Sequence, residues 1–356
     1  MRALLIAGGL SLIGTLLGTR WAIAILAKQG YGQLIRDDGP TSHHTKRGTP
    51  TMGGLVIILA VVVAYFSAKL LTRDTPSASA LLLLFLFVGL GAVGFVDDYI
   101  KIVKQRSLGL RSKAKFGGQT VIAVTFGWLS LQFPDSRGNA PASSAISFIR
   151  VVDWELPSVL AIIWVLVIIA GTSNAVNLSD GLDGLAIGSS VMVFAAYTLV
   201  GIWQNNQFCA ITPGGQCYNE IRDPLDLAVV AAAITGACFG FLWWNASPAQ
   251  IFMGDTGSLS LGGAMAGMAI MSRTELLLIV FGGLFAVITL SVILQVGFFK
   301  LSKGKRLFRM APLQHHFELL GWAEVTIVIR FWIICGISVA TGLGLFYAQW
   351  VLGMRS

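Results

Sequence analysis

The strongest constraint on this chain is a recurrence. Along its 356 residues, apolar runs of roughly 17 to 26 residues follow one another with short polar connections between them. A helix rises about 1.5 Å per residue, so each run is long enough to cross about 30 Å of hydrocarbon. The runs lie near residues 3–26, 52–71, 79–96, 117–133, 157–173, 185–203, 226–244, 257–271, 275–299 and 325–350. They predict an all-α, polytopic integral membrane protein with about ten transmembrane helices. The least obvious boundary is Met271-Ser-Arg-Thr-Glu275, where a short polar break divides one long apolar stretch into two spans and a tight hairpin. Composition agrees, because 12% of residues are charged where a soluble domain carries about 25%. The longest hydrophilic run is about two dozen residues, too short to surround a soluble core, so residues 1–356 are expected to form one membrane-embedded domain. The first run lacks a short apolar core with a small-residue cleavage site and is expected to remain as a span.

The net charge of +8 does not point to nucleic acid, because the 25 Lys and Arg cluster in a few loops with no aromatic-basic platform beside them. Membrane orientation accounts for them better. The odd-numbered connections carry fifteen: Lys28, Arg36, Lys46 and Arg47, then Lys101, Lys104, Arg106, Arg111, Lys113 and Lys115, then Lys300, Lys303, Lys305, Arg306 and Arg309. The other side carries eight, Arg2, Lys69, Arg73, Arg137, Arg150, Arg222, Arg273 and Arg355. The positive-inside bias therefore predicts cytoplasmic odd connections and both termini outside. Of the four cysteines, Cys238 and Cys335 sit in apolar runs and read as packing. Cys209 and Cys217 flank a polar, turn-rich loop, a spacing compatible with a disulfide in an oxidising compartment.

Five groups of chemically capable residues occur: Lys46 through TPTMGG, Asp97-Asp98, Asn174 to Gly184, Gln250 to Gly257 around Asp255, and Gln314-His315-His316 with Glu318. They fall in the first, third, fifth, seventh and ninth connections, so all share the basic face, and the even connections hold no comparable group. One shared active site is the simplest account. A solvated helix end would explain a lone acidic pair such as Asp97-Asp98, but carboxylates close to hydrocarbon are costly and usually functional. Asp180 and Asp183 are spaced i, i+3, which on a helix places them on one face with Asn177. Capping also suits these residue types, and at least one of the two acids is expected to cap the sixth span. Asp255 stands between two glycines in FMGDTGS, which permits capping or close approach of a ligand to the backbone.

Asp97, Asp98, Asp180, Asp183 and Asp255 have no cysteine partner and only two candidate histidines, so oxygen ligation and Mg²⁺ are favoured over zinc. His315 and His316 are adjacent in a Pro-containing loop, unlike an i, i+4 zinc pair, and suit phosphate or sugar contact or proton transfer. Lys46, Arg47, Lys101, Lys113 and Lys115 add positive charge. Singly each reads as an orientation or headgroup residue. Together with acids and Mg²⁺ they describe a site for an anionic, phosphorylated substrate at the membrane interface, where one substrate can be a lipid.

Read in order, TKRGTPTMGG, GFVDDYIK, NAVNLSDGLDGL, NASPAQIFMGDTGSL and MAPLQHHFELLGW resemble the phospho-N-acetylmuramoyl-pentapeptide transferase family. This is a branch of the polyprenyl-phosphate N-acetylhexosamine-1-phosphate transferase superfamily, also called glycosyltransferase family 4. The resemblance covers essentially the whole chain, and TPTMGG with PLxHHFE separates this branch from relatives that transfer GlcNAc-1-phosphate. It implies a bacterial plasma-membrane enzyme, a homodimer, with its active site on the cytoplasmic face. Its substrates would be UDP-N-acetylmuramoyl-pentapeptide and undecaprenyl phosphate, its products lipid I and UMP, and its cofactor Mg²⁺. By motif position Asp255 would be the principal metal ligand with Asp97 close by, and Asp98 the candidate base. Asn174, Asn177, Asp180 and Asp183 would help form the nucleotide and sugar pocket, with Phe252 against the uracil. Lys46 and Thr51 would border that pocket, Lys113 would meet phosphate, and Gln295 would face the site from the ninth span. The family usually has three consecutive histidines. Here Gln314 takes the first position, and an amide hydrogen-bonds but does not titrate.

Two other readings remain at this level. Intramembrane acids also mark the pathways of cation-coupled transporters, although those would lie near span centres and no inverted repeat is evident. A superfamily relative using UDP-GlcNAc is the third. Direct attack by the lipid phosphate and a covalent phospho-enzyme on one Asp of the pair are both compatible with the sequence.

Overall fold

The computed structural model describes residues 1–28, 48–104, 109–148, 151–208 and 221–353; Lys46, Cys209 and Cys217 lie outside them. In chain order the elements are α1 (Arg2–Lys28), α2 (Gly54–Thr72), α3 (Ala78–Val103), α4 (Ser112–Ser130), β1 (Ala145–Ser147), β2 (Val151–Glu155), α5 (Ser158–Ser179) and α6 (Leu185–Asn206). They continue with α7 (Pro224–Asn245), α8 (Gly254–Met271), α9 (Leu278–Phe281), α10 (Gly283–Leu301), α11 (Leu313–Glu318) and α12 (Glu324–Gly353). The long helices occupy the ten expected positions, the ninth as α9 followed by α10. Eight of them are long and apolar enough to cross a membrane by length and composition, which makes this a multi-pass membrane protein. The polar break after Met271 is a turn, as the sequence predicts.

The two long helices short of that hydropathy are α4 and α8. Helix α8 is buried continuously from Thr256 to Met271, packed among α2, α3 and α5. It faces protein rather than lipid, so it needs small side chains more than apolar ones. Between membrane helices there is little hydrophobic driving force, and close backbone packing takes its place. A β-carbon on Gly54 would collide with the Gly257 backbone, and one on Gly94 with the Asp255 carbonyl. One on Gly262 would stand 2.5 Å from the Ser173 Cα. Helices α1 and α7 use the same device where Gly236 meets the Gly8 carbonyl. Ser11 Oγ donates to Ala233 O at 2.6 Å, and Trp244 Nε1 to Leu16 O at 2.9 Å.

Three local findings correct the sequence reading. Helix α3 runs to Val103 rather than stopping near residue 96, so Asp97 and Asp98 lie within its last two turns. Helix α5 ends at Ser179 with Asp180 as its C-cap, and Gly184 (φ +79°) precedes α6, so Asp180 and Asp183 sit in a turn and not on one helical face. At the start of α6 the Gly184 amide donates to Asn245 Oδ1 at 3.1 Å. The strands β1 and β2 form an antiparallel pair between α4 and α5, where only a loop was expected.

Candidate active site

The C-terminal ends of α3, α5, α7 and α10 and the N-terminal ends of α4, α6, α8 and α12 meet at one end of the bundle, joined by the side-chain bonds below. At its centre Asp97, Asp98 and Asp255 bring carboxylate oxygens within 4.8 Å of one another, a group that could hold a metal ion. Helical spacing explains the first partner. Lys101 stands four residues after Asp97, and its Nζ lies 2.6 Å from Asp97 Oδ2, 2.8 Å from Asp255 Oδ2 and 3.5 Å from Asp98 Oδ1. From α4, Lys115 Nζ reaches the same Asp255 oxygen at 2.8 Å. The other oxygen of Asp255 accepts from Asn177 Nδ2 at 2.6 Å, and that amide also donates to Ser258 Oγ at 2.8 Å.

Asp98 does different work. Its Oδ1 accepts from the Asp255 amide at 3.2 Å, and its Oδ2 from the Thr256 amide at 2.9 Å and the Thr256 hydroxyl at 2.8 Å. It therefore caps α8 from a neighbouring helix, where orphan N–H groups and the helix dipole favour an anion. Gly254, at φ +74°, allows this approach, since a β-carbon there would stand 2.6 Å from Asp98 Oδ2 and 3.0 Å from Thr51 Oγ1. The buried Thr51 thus lies directly beside the cluster. Asp97 Oδ1 accepts from the Leu110 amide at 2.7 Å, which ties the segment leading into α4 to the acids.

Asp180 lies just beyond the end of α5. Burial, and then the nearby carboxylates of Asp255, Asp98 and Asp183, hold its carboxyl well above the usual range. Asp183 braces the loop before α8: its Oδ2 accepts from the Ala249 amide at 3.0 Å, while its own amide donates to Glu324 Oε1 at 2.9 Å. That loop also pairs with the segment before α2, through Phe252 N to Pro50 O at 2.8 Å and Gly53 N to Phe252 O at 2.9 Å. Phe252 is half-buried at this junction. Asn174 Nδ2 donates to Ala170 O at 2.8 Å and to Gln119 Oε1 at 3.3 Å, joining α5 to α4.

The ninth connection is brought in by α11. Gln314 is fully buried, and its Nε2 donates to Leu178 O at 2.9 Å, satisfying a carbonyl left open at the end of α5. His315 Nδ1 lies 2.6 Å from Glu318 Oε2, and its Nε2 faces Gly181, 3.0 Å from where a β-carbon would stand. His316 points away: its Nδ1 accepts from the Arg309 amide at 3.1 Å and its ring packs edge-on against Phe308 and Phe317. Gln295 closes the connecting loop, accepting from the Leu307 and Phe308 amides at 3.1 and 2.8 Å and donating to Phe308 O at 3.3 Å. Lys113 is exposed on the first turn of α4, two residues before the lysine that reaches Asp255.

Lys101 and Lys115 were legible only as general positive charge, and Thr256, Ser258, Gln119, Asn245 and Glu324 were not singled out. The i, i+4 spacing of Asp97 and Lys101 is the one signal that would have found a member of this set. Among the described residues, Asp97, Asp98, Asp180 and Asp255 lie at helix ends and not along a path through the bundle.

Comparison with known proteins agrees with this geometry. Glycosyl transferase family 4 matches residues 79–273, and the phospho-N-acetylmuramoyl-pentapeptide-transferase signature 1 matches residues 46–58. A phospho-N-acetylmuramoyl-pentapeptide-transferase of a Nocardioides species is 68% identical, over 99% of this chain and 100% of its own length. Relatives of the same name from Cutibacterium acnes and Streptomyces avermitilis are 64% identical over 99% of this chain and 100% of their length, and 60% over 98% and 99%. This chain belongs to the phospho-N-acetylmuramoyl-pentapeptide-transferase family, within glycosyl transferase family 4.

Proposed function

We propose that the protein transfers phospho-N-acetylmuramoyl-pentapeptide from UDP-N-acetylmuramoyl-pentapeptide to undecaprenyl phosphate, giving lipid I and UMP, with Mg²⁺ as cofactor. The observation that carries this is the convergence of Asp97, Asp98 and Asp255 at one end of the bundle, in a chain of this family. The donor set fits a hard cation: it is all oxygen, and two lysine ammonium groups already lie against Asp255 where positive charge is needed. Asp97 and Asp255 would hold the ion. When bound, Mg²⁺ neutralises the donor diphosphate and stabilises departing UMP.

The remaining chemistry belongs to the chain. Lys101 and Lys115 supply further positive charge beside the diphosphate. A phosphate monoester has a second pKa near about 6, so the lipid phosphate is largely ionised at neutral pH without a strong base. Its oxygen attacks the β-phosphorus, and the P–O bond to UMP breaks as the new diphosphate forms, UMP leaving with the electron pair. Asp98, with both oxygens engaged at the start of α8, holds Asp255 in place in this reading and does not take the proton. Asn174, Asn177, Asp180, Phe252 and Thr51 border the pocket for nucleotide and sugar, to which the family resemblance also assigns Lys46. His315, oriented by Glu318, contacts phosphate or sugar, while Asp183, Gln295 and His316 hold the surrounding loops. The fifteen-to-eight bias of basic residues supports a cytoplasmic site with both termini outside, and the family resemblance supports a homodimer in the bacterial plasma membrane.

The test is Mg²⁺-dependent UMP release by protein purified in detergent, given the UDP-sugar with and without undecaprenyl phosphate, alongside Asp255→Ala. Release requiring both substrates and Asp255 supports direct transfer. UMP released in a single turnover without lipid would favour a covalent aspartyl intermediate, and release from UDP-GlcNAc alone would overturn the donor assignment.

A further inference from the structure

Two groups of cations at the active-site end differ in their partners. Lys101 and Lys115 are paired with carboxylates. Lys300, Lys303, Lys305, Arg306 and Arg309 are exposed, and among the described residues none of these five meets a carboxylate. The sequence explains why: no Asp or Glu occurs between Glu275 and Glu318. Their positions are nonetheless well defined. The Gly304 amide donates to Phe299 O at 2.9 Å and Ser302 Oγ to Lys305 O at 3.1 Å. Gln295 holds the Leu307 and Phe308 amides, and Arg309 Nη1 donates to Leu319 O at 2.7 Å. Backbone carbonyls and one amide side chain thus shape a cationic loop whose charge is left for something outside the chain.

Depth is set by the helix before it. Helix α10 has 19 residues, about 28 Å of rise, and carries exposed Val287, Leu290, Ile293, Leu294 and Val296 toward lipid. Lys300 stands in its last turn, which puts the loop at the level where hydrocarbon gives way to headgroups. Two leucines share that level with the cations, Leu301 at 88% and Leu307 at 48% exposure. Charge count alone sets orientation; it requires neither a shaped loop nor exposed leucines among the lysines. Both are what a headgroup-binding surface uses, with leucines in the acyl boundary and ammonium groups on phosphate.

We propose that Lys300 and the loop 302–312 form a docking surface for anionic phospholipid headgroups, separate from the carboxylate cluster. It does not rest on the transferase reading, and its test reads lipid and not turnover. Native mass spectrometry of the whole protein, titrated with phosphatidylglycerol or with phosphatidylcholine of the same acyl chains, should show phosphatidylglycerol retained about tenfold more tightly at low salt. The preference should fall as salt rises. The triple variant Lys303→Gln, Lys305→Gln, Arg306→Gln should lose the preference with an unchanged melting temperature, whereas Arg2→Gln, Arg73→Gln at the other end should keep it. If the triple variant melts early, Lys305→Gln alone, whose side chain makes no bond among the described residues, should show a partial loss. Equal retention of the two lipids by the wild type, or an undiminished preference in the loop variants, would overturn the proposal.

Discussion

The two ends of the bundle both bury carboxylates beside lysine, and they differ in how the charge is settled. At the far end Asp226 takes Lys69 at 2.6 Å on one oxygen, and the Tyr65 hydroxyl and the Ser77 amide, each at 2.9 Å, on the other. Asp223 accepts from Ser79 Oγ at 2.8 Å and Arg222 Nε at 3.1 Å. Each acid there has its own cation, and the result ties α2, α3 and α7 together. At the active-site end three acids converge on two lysines, so with all five groups ionised one negative charge is left over. Balanced networks hold helices together; an unbalanced one at a helix end calls for a cation from outside. No comparable constellation is visible in the even connections of the sequence, because residues 65, 69, 77, 79, 223 and 226 are brought together only by the fold.

The largest expected effect tests that contrast directly. Asp255→Asn should lower Mg²⁺-dependent UMP release per folded molecule by on the order of 10³-fold or more. Asp226→Asn should do the reverse, costing about 3 kcal/mol by stranding Lys69, with activity per folded molecule retained; equal loss of activity in both would erase the distinction. Next in size, Lys115→Gln should cut kcat by about 10²-fold, read as turnover at saturating donor. Lys113→Gln, exposed two residues earlier, should leave kcat near wild type, and the opposite order would return the phosphate role to Lys113.

The smallest effect lies at the far end. Glu275 is 5% exposed, and burial pushes its carboxyl from 4.5 up to about 7. Between those values the folded state binds the proton more tightly than the unfolded chain, so this group's contribution to stability falls as pH rises through the window and levels off above it. The difference amounts to about 3 kcal/mol. Glu275→Gln should therefore gain melting temperature relative to wild type between pH 5 and pH 8, and parallel curves would show that the carboxyl titrates normally.

Much of this was readable in advance. Apolar run length marked the ten helix positions, because crossing hydrocarbon imposes a length that no local propensity can shorten. Parity of connections placed Asp97, Asp98, Asp255 and His315 at one end before any contact was known. Less was readable about the roles of neighbours. Asp180 and Asp183 look alike in sequence, yet one lies near the acids and the other holds the Ala249 amide, because α5 ends at Ser179 and the chain turns before α6 begins at Leu185. His315 and His316 are adjacent, yet they point to opposite tasks.

The sequence by itself determined the positions of the long helices, the end where the charged chemistry gathers, and the family. Those features rest on quantities additive along the chain: apolar length, charge per loop and motif order. Only the tertiary structure decided that Asp98 caps α8 while Asp255 receives two lysines, and that Lys115, not Lys113, is one of them. Such assignments turn on differences of one or two residues in where a helix ends and which way it faces. Packing of small residues along α8 settles those differences, through contacts between segments far apart in the chain, such as Gly54 with Gly257 and Gly94 with Asp255.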